Sequence, residues 1–145
     1  TTILHCIHLA SILIYLIMSF KCKLNVAGKE RNIVSVDYGM LQETDVTGRP
    51  SSVTRGGKIT ITVESTGDTD LFEWMTNSFE RKDGSIIFLK RDSEATLKEL
   101  KFKEAYIVKY KEDFDAAGDN PLTETFTLSA KEIEMGTAKH TNEWV

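Results

Sequence analysis

The sequence predicts a mainly β domain with one short α-helix and one long extended loop. Three observations predict this fold class: apolar and polar residues alternate along most segments, one segment has apolar residues at helical spacing, and one long stretch has neither pattern. The chain has 145 residues, 41% of them hydrophobic and 28% charged, which suits one domain with a hydrophobic core. Its net charge of −4 lacks the basic excess of nucleic-acid-binding proteins, so we expect no nucleic-acid partner.

Residues 1–17 differ in composition from the rest of the chain, because they contain no Asp, Glu, Lys or Arg. The apolar run from Ile3 to Ile17 is shorter than the roughly 20 residues of a membrane span, so we expect no stable membrane insertion. The run also lacks the basic start and small-residue cleavage site of a secretory signal. We expect residues 1–17 to be an apolar extension, upstream of a natural start at Met18 or non-native, with a short amphipathic anchor as the alternative.

Two strands open the remaining domain. Between Phe20 and Val26 the even positions are apolar and the odd positions polar, which is typical of a half-buried strand. A second strand is predicted from Arg31 to Tyr38, and Gly28 supplies a turn between the two. The pair is therefore predicted to form a β-hairpin.

A long loop without periodicity runs from Gly39 to Gly57, where Gly48-Arg49-Pro50 and Gly56-Gly57 indicate turns. Loops of this length in compact domains are usually functional or disordered. In a monomer this loop would be a surface excursion. In a protein that assembles with copies of itself, it would be an arm that contacts a neighbour.

The clearest strand follows from Lys58 to Glu64, where β-branched residues alternate with polar ones. The single helix comes next, with Asp68 or Thr69 as its N-cap. Its apolar stripe is predicted to pack against the sheets, and consists of Leu71, Phe72, Trp74, Met75 and Phe79.

The C-terminal half is predicted to be β. Asp83-Gly84 indicates a tight turn before a strand from Ser85 to Arg91. Further on, apolar residues occupy even positions, which favours strands over a helix: Leu100, Phe102, Tyr106, Val108 and Tyr110. A last strand is predicted over Leu122–Met135, followed by a polar tail in which Trp144 either packs on the domain or contacts a partner.

The sequence offers no convincing catalytic or metal-binding constellation. From Met18 onward there is one histidine, His140, and one cysteine, Cys22, and no pattern recommends them as a dyad. Phosphate-binding loops, dinucleotide fingerprints and nucleophile elbows are missing from the sequence. Cys6 and His8 are too few for a structural zinc site. We therefore predict a protein that is not an enzyme and takes no cofactor and no metal.

Five segments form a pattern in this order: Met18-Ser-Phe-Lys-Cys-Lys-Leu24, Asp45-Val-Thr-Gly-Arg-Pro-Ser-Ser52, Arg55-Gly-Gly57, Asp70-Leu-Phe-Glu-Trp-Met75 and Glu124-Thr-Phe-Thr-Leu128. With them, the chain from Met18 to Val145 resembles the Hcp (haemolysin-coregulated protein, TssD) family, the tube subunit of the type VI secretion system, and especially its Bacteroidetes branch. These residues are structural rather than catalytic, so the specificity of the resemblance lies in the whole pattern.

The resemblance implies that residues 18–145 form a small β-barrel of two packed antiparallel sheets with the helix at its side. It also implies homohexameric rings that stack into a tube expelled by contractile injection. The long loop would contact the adjacent ring or subunit, through Gln42, Asp45, Arg49, Pro50, Arg55, Gly56 and Gly57.

The partners that the resemblance implies are other copies of the chain, the sheath and spike proteins of the apparatus, and small effector proteins in the ring lumen. The expected location is the cytoplasm before firing and the extracellular space afterwards, by a route independent of a signal peptide. Two other readings stay open: a phage-tail-tube-like or monomeric β-barrel binding module, and an effector or enzyme domain on the same scaffold.

Overall fold

The computed structural model describes residues 20–144, so the predictions for residues 1–17 lie outside the described residues. Its elements, in chain order, are β1 (Lys21–Val26), β2 (Lys29–Tyr38), β3 (Lys58–Glu64), α1 (Asp70–Thr76), β4 (Lys82–Leu89), β5 (Thr96–Phe114), β6 (Leu122–Met135) and β7 (Ala138–Thr141). Within residues 20–144, we find no helix with the length and apolar character needed to cross a membrane.

The strands form one antiparallel sheet in the order β3-β2-β1-β4-β5-β6-β7, and β3 also pairs with β6. That last pairing closes the first six strands of the order into a barrel, which leaves them no open edge to pair with foreign strands. β7 is the extra strand, and it pairs with the end of β6 from Glu132 to Met135. The mainly β fold class and the barrel are confirmed.

The predicted hairpin of β1 and β2 is confirmed. Lys23 pairs with Asn32, and Val26 pairs with Lys29 across a two-residue turn. Both turn residues, Ala27 and Gly28, have positive φ values, 54° and 75°, which matches the right-handed twist of the flanking strands.

The barrel has two different ends. One end carries the Ala27–Gly28 turn and α1, which connects β3 to β4; we call it the helix end. The other end carries residues 39–57, which leave β2 at Tyr38 and enter β3 at Lys58; we call these residues the arm and this end the arm end.

The core fills the barrel interior. β3 shows why: Ile59, Ile61 and Val63 are fully buried, while the residues between them are half-buried on the outer face. At the helix end, Leu71 and Trp74 of α1 are buried against this core. The Trp74 indole N–H donates to the Glu80 carbonyl at 2.9 Å, so its polar atom is satisfied despite burial.

The helix is shorter than its predicted stripe. It ends at Thr76 because Asn77 takes up an extended conformation, and Phe79 therefore lies beyond it, 85% exposed. Phe72 is 57% exposed and meets the Tyr110 ring edge-on, with centroids 5.9 Å apart. The prediction that Phe79 packs against the sheets is therefore wrong. Phe72 contacts the sheet only through the ring of Tyr110.

The cap of α1 is made by Asp68. Its carboxylate accepts the Asp70 backbone N–H at 3.1 Å, whereas the Thr69 side chain makes no capping bond and donates to Glu73. An acidic residue at this position also suits the positive end of the helix dipole.

The predicted turn at Asp83-Gly84 is wrong, because both residues lie inside β4. β4 and β5 instead carry two irregularities that face each other. The register shifts between Lys82 and Gly84, and on β5 Glu104 has a positive φ of 50°. The Asp83 carboxylate accepts the Glu104 backbone N–H at 2.8 Å and joins the two distortions.

The bulge at Glu104 changes which residues of β5 face the core. Leu100 and Phe102 are buried before it, and Ala105 and Ile107 after it. The prediction that even positions share one face is therefore wrong for Tyr106 and Val108, which lie on the outer face, while a second register shift after Ile107 brings Tyr110 back to partial burial.

Gly84→Ala is expected to lower the free energy of unfolding by about 1–3 kcal/mol, because overpacking forces the backbone to move. An added Cβ would lie 2.6 Å from both the Asn25 carbonyl oxygen and the Phe102 ring. Denaturant unfolding, monitored by circular dichroism, measures the change. Gly67→Ala is the matched control, because its Cβ would meet open space. Equal stability of the two variants would contradict the close packing of Gly84 against β1 and Phe102.

The predicted polar tail is wrong for residues 138–141, which form β7 after a turn at Gly136, where φ is 61°. Asn142 then anchors the chain: its side-chain N–H groups donate to the Gly56 carbonyl at 2.9 Å and the Ala130 carbonyl at 3.1 Å. Trp144 packs back on the domain, with its ring centroid 5.4 Å from that of Tyr106.

Candidate interaction surface

The arm folds back on itself as an irregular hairpin. Leu41 and Arg55 exchange two backbone hydrogen bonds, at 2.9 and 2.7 Å, and form an isolated bridge. A second bridge pairs Thr44 with Pro50, next to a bond from the Ser51 N–H to the Glu43 carbonyl at 2.7 Å. The segment therefore has a defined shape although it contains no regular strand.

Asp45 organises the tip of the arm. Its carboxylate accepts the Thr47 N–H at 2.8 Å, the Thr47 hydroxyl at 2.6 Å and the Arg49 N–H at 3.2 Å. The bonds from Thr47, first its hydroxyl and then its N–H, together with the Arg49 N–H, hold the pKa of Asp45 below its usual value. Gly48, with φ of 87°, completes the turn.

The two glycines at the base of the arm are closely packed, and Gly57 is required there because it meets backbone and has a positive φ. Gly57 has φ of 101°, and a Cβ there would lie 2.6 Å from the Ala130 carbonyl and from the Asn142 amide. A Cβ on Gly56 would lie 2.7 Å from the Met40 side chain. These positions fix the direction in which the arm leaves the barrel.

The other residues predicted for this loop lie along the arm. The Gln42 side chain donates to the Ser52 carbonyl at 3.2 Å across the hairpin, and the Arg55 guanidinium lies 3.7 Å from the Glu43 carboxylate. Both arrangements are solvent-exposed and contribute at most about 1 kcal/mol. Within residues 20–144 we find no ion pair to the Arg49 guanidinium, so its charge is free for another partner.

The arm exposes apolar side chains on both sides of its hairpin and at its tip: Met40, Leu41, Val46 and Val53. Val46 at the tip is fully exposed. Covering each such side chain is favourable by about 1.5–3 kcal/mol. A defined hairpin that presents apolar residues around a charged turn is suited to bind another protein surface.

A buried ionic network, which sequence reasoning missed, fastens α1 to the barrel. The Arg31 guanidinium donates to Glu124 at 2.9 Å and also to Asp70 at the start of α1. The Tyr110 hydroxyl donates to the second Glu124 oxygen at 2.8 Å. Burial, and then the hydrogen bond to Glu124, raise the pKa of Tyr110 well above its usual value.

The signal for this network was present in the sequence. Glu124 is in phase with Phe126 and Leu128, which face the core, and Arg31 is in phase with Ile33. A charged residue at an inward position of a strand requires a buried partner of opposite charge.

The structure offers little support for nucleophilic chemistry. Burial raises the pKa of Cys22 to about 11, so the thiol stays protonated near neutral pH. His140 is hydrogen-bonded through Nε2 to the Asn142 side chain at 3.1 Å. Between residues 20 and 144, no three His, Cys, Asp or Glu side chains are grouped so that they could hold a metal ion.

Comparison with known proteins places these features in a wider context. The family model described as Hemolysin coregulated protein Hcp (TssD) matches residues 18–145. The chain is similar to Hcp1 from Flavobacterium johnsoniae, with 64% sequence identity and a TM-score of 0.82 over 84% of this chain and 99% of that chain.

Two more distant structures share the fold. Hcp1 from Salmonella typhimurium has 13% identity and a TM-score of 0.70, with 86% of this chain and 95% of that chain covered. A chain of the PVC sheath-tube complex, from an extracellular contractile injection system in its extended state, has 21% identity and a TM-score of 0.55, with 81% and 89% covered. A search of curated proteins found no match.

Proposed function

This chain belongs to the Hcp (TssD) family of structural tube proteins, and we propose that it forms homohexameric rings that stack into the tube of a type VI secretion system. The observation that carries this proposal is the arm, a hairpin with a fixed tip, exposed apolar side chains around it and an Arg49 guanidinium that forms no ion pair with residues 20–144. In an isolated subunit these apolar side chains stay exposed to water, whereas contact with another copy would bury them.

The physics of the arm favours assembly. Its cross-hairpin bonds and the Asp45 turn order the backbone before binding, so association costs less conformational entropy than it would for a disordered loop. An arm that binds a different surface on the next copy makes a heterologous contact. Such contacts produce rings when the rotation closes and filaments when it does not, and a stacked-ring tube uses both.

The proposal extends to partners and location. The outside of the tube would contact sheath proteins, its tip would contact the spike, and the lumen would carry small effector proteins. The rings would assemble in the cytoplasm and leave the cell when the apparatus fires. We assign the chain no catalytic role in this process.

Negative-stain electron microscopy of the purified chain tests the proposal. We expect class averages of rings with sixfold symmetry and a central hole, and short stacks of rings at high concentration. Particles without a hole, at every concentration, would instead favour a monomeric β-barrel binding module.

A further inference from the structure

The arm end of the barrel contains an apolar cleft of about 200 Å³. It opens where the end of β2 and the start of the arm meet β7 and the neighbouring parts of β5 and β6. Most of its lining is hydrocarbon, supplied by Tyr38, Met40, Leu100, Ile133, Met135 and Ala138. An exposed apolar cleft of this size is suited to receive an apolar side chain.

The helix end presents a side chain of matching chemistry. Phe79 lies in the turn between α1 and β4 and is 85% exposed, although Trp74 only five positions earlier is buried. The strand register places this turn and the cleft at opposite ends, because Gly84 pairs with Val26 at the helix end and Tyr38 pairs with Ile59 at the arm end.

We propose that Phe79 of one copy inserts into the cleft of the next copy, so that the helix end of one barrel docks on the arm end of another. An apolar cavity of about 150 Å³ holds a benzene ring in another protein, so a cleft of about 200 Å³ accommodates the phenyl ring of Phe79. This inference rests on the proposed stacking of rings and assigns it an aromatic contact.

The position of the two features determines the kind of assembly. A projecting side chain at one end and a complementary cleft at the other end form a heterologous contact that repeats without closing, which generates a filament. The arm projects from the same end as the cleft, so both would face the same neighbouring copy.

Charged side chains of both signs lie beside the cleft and beside Phe79. The cleft is bordered by Glu134 and Lys139. Phe79 is followed directly by Glu80 and Arg81, one of each sign. Three of these residues form exposed ion pairs within the subunit, Lys139 with Glu132, Arg81 with Glu104 and Glu80 with Lys82. Exposed pairs of this kind are weak, so they can be exchanged for pairs across the contact at little cost.

Phe79→Ala in the full chain tests the projecting side. We expect rings to form as in the unchanged chain, and the chain concentration at which rings stack to rise roughly tenfold or more, because a phenyl contact is lost at each junction. Val34→Ala is the control, because it removes an apolar side chain that is 44% exposed from the middle of β2, away from both ends of the barrel. Electron microscopy counts single rings and stacks, and thermal unfolding verifies the fold.

Two variants fill the receiving side. Ala138→Phe adds a phenyl ring to the cleft lining on β7, and Gly39→Leu adds an isobutyl group at the start of the arm, where an added Cβ meets open space. Either filled variant alone is expected to stack as poorly as Phe79→Ala.

Mixing the variants gives the decisive test. Phe79→Ala retains the cleft and a filled variant retains Phe79, so the mixture is expected to form pairs of rings that do not grow into longer stacks. Unchanged stacking of Phe79→Ala and of both filled variants would overturn the inference. Poor stacking of the filled variants together with unchanged stacking of Phe79→Ala would also overturn it, because the cleft would then have another occupant, such as the arm. If the unchanged chain forms no rings, the proposed function fails first, and the two failures are thereby distinguished.

Discussion

Replacing Glu124 with alanine is expected to lower the free energy of unfolding by about 3–5 kcal/mol, the cost of removing one partner of a buried ion pair. Glu124 is 1% exposed and accepts hydrogen bonds from Arg31 and Tyr110, on two different strands. Without it, the guanidinium of Arg31, itself only 7% exposed, keeps Asp70 as its remaining carboxylate partner. Because Asp70 begins α1, the loosening is expected to spread to the helix end.

Urea unfolding monitored by far-ultraviolet circular dichroism measures this loss. Glu30→Ala is the matched control, because it removes a carboxylate whose pair with Lys23 is solvent-exposed, and it is expected to cost at most about 1 kcal/mol. Glu124→Gln preserves the shape and tests the charge alone, and its loss is expected to lie between the other two. If Glu124→Ala costs no more than the control, the network does not fasten the helix.

Reversing the charge of Arg49 is expected to abolish stacking of rings while the subunit stays folded. The Arg49 side chain lies at the tip of the arm, and its backbone N–H, which bonds to Asp45, remains in Arg49→Glu. The substituted carboxylate would repel whichever acidic group the guanidinium contacts, a change that costs several kcal/mol at a desolvated contact.

The structure refines the choice of residue for this experiment. Asp45 and Arg49 looked equivalent from the sequence, but Asp45 holds the tip turn together, so its replacement changes the shape of the arm as well as its charge. Lys109→Glu is the control, because it makes the same change of charge at an exposed position within β5, away from the arm. Sedimentation velocity separates rings from stacks, and stacking of Arg49→Glu equal to that of Lys109→Glu would exclude the arm from the contact.

Much of the fold could be predicted from alternation alone. β3 was bounded correctly because its apolar residues occupy every second position without interruption. β5 was less predictable, since the bulge at Glu104 depends on the Asp83 carboxylate from another strand. The end of α1 depends similarly on Asn77, where the sequence pattern alone extends to Phe79.

The site was predictable as a segment and not as a shape. The lack of periodicity over Gly39–Gly57 indicated the arm, and the run Asp45-Val-Thr-Gly contains the residues of a side-chain-stabilised turn. The anchoring of its base by Asn142 could not be predicted, because these residues are far apart in the chain and meet only when β7 pairs with β6.

Sedimentation equilibrium of the purified full chain over a wide concentration range tests whether the chain assembles with copies of itself. We expect a particle of six times the chain mass, with larger multiples of that mass as concentration rises. A single species with the mass of one chain, persisting at the highest concentration, would contradict this expectation.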